Sequence, residues 1–127
     1  MDSQRQNYAL LISGDESRFA ELSLKFQEFL VSGLNFNPDR LRTIVCTYNG
    51  TRYIAEETGM FFERVKREDP TNEVLILYCG HGGKGAFVPN PSSLSYEEWA
   101  KSINHAGNFL FVNESCYSGS SVDAFRN

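Results

Sequence analysis

At 127 residues and 41% hydrophobic, with ten Phe and six Tyr, the chain has the size and composition of one domain able to bury roughly two thirds of its unfolded surface. A formal net charge of -4 gives no electrostatic ground for a nucleic acid or an anionic membrane as partner, though basic ligands stay open. The polar start, Met1-Asp-Ser-Gln-Arg-Gln-Asn7, is no secretory signal and no run approaches a membrane span, so a cytoplasmic protein is expected.

Tyr8 to Ser13 reads as a buried strand closed by Gly14-Asp15. From about Ser17 to Ser32 the apolar residues Phe19, Leu22, Phe26, Phe29 and Leu30 recur at helical spacing, with Gly33 as the stop. A polar loop with Pro38 leads to a second strand, Leu41 to Thr47, and Asn49-Gly50 signals a turn. A second helix, about Thr51 to Glu68, carries Ile54, Thr58, Phe61, Phe62 and Val65 on one face and ends before Pro70. Glu73 to Cys79 is a third strand, running into a glycine-rich turn at Gly80-His81-Gly82-Gly83. Pro89-Asn-Pro91 is loop, Ser95-Tyr-Glu-Glu98 supplies a capping box for a short helix to about Asn104, and Phe109 to Val112 is a fourth strand.

Strands alternating with helices predict a single α/β domain over 1–127, a three-layer sandwich with a mainly parallel sheet and right-handed crossovers. In the expected order 2-1-3-4 the last strand stands at an edge, although its residues are apolar on both faces, as in the interior of a helix-covered sheet. Something else is therefore expected to cover it, and the sheet is expected to be incomplete on its C-terminal side.

The chemistry-bearing residues cluster where strands three and four end. One run delivers His81 among glycines; the other delivers Cys116 within Glu114-Ser-Cys-Tyr-Ser-Gly119. Neighbouring parallel strands lie about 4.8 Å apart, and both carboxyl ends then open on the edge where α/β sheets hold ligands. A cysteine after an apolar run is more often a core residue, and a histidine in a turn is often merely solvated. Their joint placement favours nucleophilic acyl transfer, with His81 generating the thiolate of Cys116 and later protonating the leaving amine. Backbone N–H groups of Gly82 and Cys116 are candidates for the oxyanion site.

Other features carry less. With three cysteines, Cys46, Cys79 and Cys116, and no C-x-x-C pair, reduced thiols are expected, with no zinc or other metal and no cofactor. Gly80-His-Gly-Gly-Lys84-Gly85 is no phosphate loop, because Tyr78 occupies the first glycine position and Gly85 the hydroxyl position. Cys46 and Cys79 read as packed strand residues, His105 as a surface loop residue and Asp123 as a remote third catalytic member.

Tyr78-Cys-Gly-His81-Gly82-Gly83 is similar to the histidine motif of metacaspases, and Glu114-Ser-Cys116-Tyr-Ser-Gly119 resembles the cysteine motif that metacaspases and legumains share. Asn49-Gly-Thr51-Arg52 also resembles a metacaspase segment. The resemblance runs from about Tyr8 to Gly119 and points to the caspase-fold cysteine peptidases. It implies a His81–Cys116 dyad, Gly82 as an oxyanion donor and Glu114 lining the primary specificity pocket, where an acid suits a lysine or arginine side chain. The glutamate is nearer to legumains, where it helps recognise asparagine, and Arg18 corresponds either to the arginine of that pocket or to a solvated residue at a helix start.

Glu-Ser-Cys replaces the Gln-Ala-Cys of caspases proper, so cleavage after aspartate is not expected. The 35 residues from His81 to Cys116 are also fewer than the roughly 50 of caspases. The family sheet has more strands than this chain supplies, which implies a large-subunit-like portion completed by a small-subunit-like C-terminal fragment. The ending Arg126-Asn127 is then either a self-processing junction or an arbitrary boundary. The expected activity is a cysteine endopeptidase acting on polypeptides after a basic residue or Asn. The rivals are a catalytically inactive interaction or scaffold domain of the same fold and an unrelated doubly wound binding domain.

Overall fold

The computed structural model of the chain describes residues 7–14, 16–46, 52–69, 73–83, 86–88, 94–103 and 109–114. Strand β1 (Tyr8–Ser13) leads to helix α1 (Ser17–Glu28), which runs on as a π-helical turn over Phe29–Gly33, and a 3-10 turn at Pro38–Arg40 precedes β2 (Leu41–Val45). Helix α2 (Arg52–Glu68), β3 (Val74–Cys79), the short strands β4 (His81–Gly83), β5 (Ala86–Val88) and β6 (Leu94–Ser95), helix α3 (Tyr96–Ala100) and β7 (Phe109–Glu114) follow.

The main sheet has the order β2-β1-β3-β7 with every pairing parallel, which is the expected 2-1-3-4 once the short strands are set aside. Its register places Cys79 opposite both Ser13 and Glu114, so the carboxyl ends of the three strands form one row. All six residues of β1 are buried, as a central strand covered by helices on both faces requires.

Side chains alternate across that sheet. Leu10, Ile12, Ile76 and Tyr78 pack on one face with Ile54, Phe62 and Val65 of α2 and Trp99 of α3. Ala9, Leu11 and Leu77 pack on the other with Leu30 and the half-buried Phe26. The five residues expected on the inner face of α2 are all buried.

Helix α1 departs from its expected stripe. Leu22 and Phe29 are exposed, and the buried line runs instead through Ser23 to Leu30, flanked by half-buried Phe19 and Phe26. Those four residues recur at 4, 3 and 4, close to the helical period, whereas Leu22 and Phe29 stand a quarter-turn to one side. The helical run ends at Gly33, as expected, with Leu34 as its C-cap; Asn35 follows at φ 60°, and the Phe36 N–H donates to the Leu30 carbonyl at 2.9 Å.

The capping box behaves half as expected: Ser95 Oγ accepts from the Glu98 N–H at 3.1 Å, and α3 closes at Ala100, short of Asn104. The larger correction concerns the turn after β3. His81–Gly83 is a strand, paired antiparallel with β5, which in turn pairs with β6. Segments of two or three residues are too short to show a period, so this small sheet had no sequence signal.

At the other edge of the main sheet β7 pairs only with β3 among the described residues, and Leu110 is 64% exposed there. The mixed character expected of this strand, apolar in sequence yet at an edge, is what the structure has. No described helix is long and apolar enough to cross a membrane.

Candidate functional site

The carboxyl rim of the main sheet is knit one residue beyond the strands. The Gly14 N–H donates to the Cys79 carbonyl at 2.8 Å, the Cys46 N–H to the Ser13 carbonyl at 3.0 Å, and the Gly80 N–H to the Glu114 carbonyl at 3.4 Å. The parallel ladder therefore continues to the residue before His81, whose departure from the rim is fixed by backbone geometry.

Two contacts set that departure. The buried Tyr78 hydroxyl donates to the His81 carbonyl at 2.7 Å, which folds the tyrosine ring under Gly80. A methyl group on Gly80 would stand 2.8 Å from the ring carbon bearing that hydroxyl and 3.1 Å from the Gly14 nitrogen. Only a glycine admits both the ring and the Gly14–Cys79 bond at this point.

The imidazole of His81 is half exposed at the rim, and α1 supplies its surroundings. Nε2 lies 3.2 Å from Glu16 Oε2, and the same oxygen accepts from Arg18 Nε at 2.9 Å. Phe19 meets the imidazole edge to face, with centroids 5.1 Å apart and planes at 87°. The Arg18 guanidinium lies 4.6 Å from the centroid of the same Phe19 ring. Arg18 first and His81 second hold the Glu16 carboxyl below its ordinary range, so it is ionised at neutral pH.

The thiols separate cleanly. Cys79 is buried two residues before His81, and its thiol is pushed up, mainly by burial and also by the Glu114 carboxylate. A thiol held neutral in the core is no nucleophile. Cys46 is likewise buried. Both match the expected packing role.

Of the residues expected at the site, the structure brings His81 and Arg18 together through Glu16, and Glu114 stands exposed at the end of β7 across from Cys79. Gly82 is half-buried in β4 opposite Phe87. Cys116, His105 and Asp123 lie outside the described residues. Among the described residues no three His, Cys, Asp or Glu side chains converge as a metal site.

Sequence reading missed Glu16, Phe19 and the hydroxyl of Tyr78. The signal for the first two was position: both follow closely on Gly14, at the carboxyl end of the strand beside the one that delivers His81. A cavity of about 410 Å³ lies at the opposite rim, lined by Tyr8, Phe36, Val74 and Leu110 among others, and its described lining has neither thiol nor imidazole. His81, Glu16 and Arg18 stand together at the carboxyl rim instead.

No model of a known protein family matches the chain, and no curated protein matches it. What the structure establishes is a small α/β domain whose four-stranded parallel sheet and three helices, among the described residues, are consistent with a caspase-like topology.

Proposed function

We propose that the chain is a cysteine endopeptidase using a His81–Cys116 dyad. The observation that carries this reading is the β3–β7 pairing. His81 follows two residues after Cys79, Cys116 follows two residues after Glu114, and Cys79 and Glu114 are parallel neighbours. Two residues of chain span at most about 7 Å, which supports a common rim for the two functional groups. Of the three cysteines, Cys116 alone is left for nucleophilic work once the two buried ones are set aside.

In this mechanism His81 takes the Cys116 proton, and the thiolate sulfur attacks the scissile carbonyl carbon. The negative charge passes to the carbonyl oxygen, which the N–H groups of Gly82 and Cys116 receive. Collapse of the tetrahedral species breaks the C–N bond, the imidazolium gives its proton to the leaving amine, and a thioester remains. Water, deprotonated by His81, then attacks the thioester and releases the acid and the thiol.

Glu114, exposed at the strand end, serves as counter-charge for an arginine or lysine before the scissile bond. Together with Arg18 it would suit asparagine, whose amide needs both a donor and an acceptor. A segment of the small-subunit kind would add strands at the β7 edge.

A peptide library varied before the scissile bond, with Cys116→Ala and His81→Ala as controls, tests the reading. Cleavage after Arg, Lys or Asn that both substitutions abolish is the expected result. A chain that neither cleaves nor labels at Cys116 with a peptide-based thiol probe, even with added C-terminal strands, would instead be an interaction domain.

A further inference from the structure

We propose that Glu16 is a positioning residue that fixes the proton of the neutral His81 imidazole on Nε2 and so leaves Nδ1 as the basic nitrogen. An ionised carboxylate is an acceptor only, so the 3.2 Å contact requires the imidazole nitrogen to donate. With Nε2–H engaged, the lone pair on Nδ1 is the one available to a thiol proton. Edge-to-face packing by Phe19 restricts the same ring, and the Tyr78 hydroxyl anchors the His81 backbone that carries it.

The placement of Glu16 argues for a role beyond the helix. It occupies the N-cap position of α1, yet its carboxylate makes no capping hydrogen bond. The residues that cap well are Ser, Thr, Asp and Asn. Here the side chain turns away from the helix to Arg18 and His81, and Arg18 holds the shared oxygen from the other side. Because Glu16 is exposed and caps nothing, its substitution leaves the core and the helix intact.

The activity arm of this inference rests on the peptidase reading; the spectroscopic arm does not. The sequence has two histidines, so His105→Gln leaves one imidazole, whose two nitrogens are distinguished by 15N NMR on the full chain. In the neutral ring the proton is expected on Nε2, with a downfield resonance characteristic of a bond to carboxylate. Glu16→Ala is expected to move that resonance toward free imidazole and to populate the second tautomer. If the chain is a peptidase, Glu16→Ala lowers kcat about 10- to 100-fold with KM within about twofold, and Glu16→Asp restores part of the loss.

A native ring protonated on Nδ1, or a spectrum that Glu16→Ala leaves unchanged, overturns the assignment whether or not peptides are cut. An unchanged kcat in a chain that does cleave overturns the positioning role. A spectral shift in a chain without activity supports the Glu16 assignment and counts against the peptidase reading alone. Circular dichroism of Glu16→Ala and Glu16→Gln guards against a folding artefact.

Discussion

The hydroxyl of Tyr78, at the far end of a buried side chain in β3, donates to the backbone carbonyl of His81 three residues on, at 2.7 Å. One side chain thereby serves both the core and the rim. In Tyr78→Phe the aromatic packing persists, but the bond that anchors His81 is gone. The expected cost is about 0.5–1.5 kcal/mol in urea denaturation, the net worth of an ordinary hydrogen bond, since this one is only partly buried. Unchanged stability would show that the hydroxyl bond contributes nothing to holding the turn.

Gly80 is fitted between that ring and the Gly14 backbone. Gly80→Ala must displace one or the other, at a cost of about 1–3 kcal/mol typical of overpacking. Thermal unfolding is expected to show a lower Tm, and the double variant with Tyr78→Phe is expected to cost less than the sum of the two, because losing the hydroxyl removes part of the clash. Strict additivity would place the strain elsewhere.

Beneath α3, the Trp99 indole N–H donates to Thr58 Oγ1 at 3.0 Å with both residues fully buried. Thr58→Val preserves volume and strands the donor, so it is expected to lose about 1–3 kcal/mol. Combined with Trp99→Phe, the threonine substitution should become nearly neutral in a double-mutant cycle, since no donor is left unpaired. A penalty that persists would assign the Thr58 effect to packing.

The Tyr8 phenol is pushed above its ordinary range, first by burial and then by its 2.8 Å bond to Glu68. Its folded state thus binds a proton that the unfolded chain gives up at about pH 10. This stabilisation is complete below the unfolded value and is lost as pH rises from there through the higher folded value. Denaturant titrations from pH 8 to 11 should therefore show a decline in stability that is shallower in Tyr8→Phe. Equal slopes would mean the phenol titrates alike in both states.

Burial of Cys46 and Cys79 limits the chemistry of the native chain. Of its three thiols, a polar thiol reagent is expected to modify no more than one rapidly under native conditions and all three after unfolding. Fast modification that persists in Cys116→Ala would reveal an accessible Cys46 or Cys79 and weaken the assignment of the nucleophile.

The sequence by itself determined the alternation of strands and helices, the largely apolar β1 at the centre, and the inner face of α2. In each case the physical cause is a long repeat of apolar residues at the period of the element, which no local contact overrides. It also placed His81 beside the strand that leads to Cys116, because parallel neighbours share a rim.

Only the tertiary structure decided what surrounds the imidazole. The Glu16–His81 pair spans 65 residues of sequence, and the rotation of α1 that exposes Leu22 and buries Ser23 depends on how closely the helix can approach the sheet. The short β4–β5–β6 sheet and the Tyr78 anchor belong to the same class. They are settled by distances across the fold, to which the periodicity of a single chain is blind.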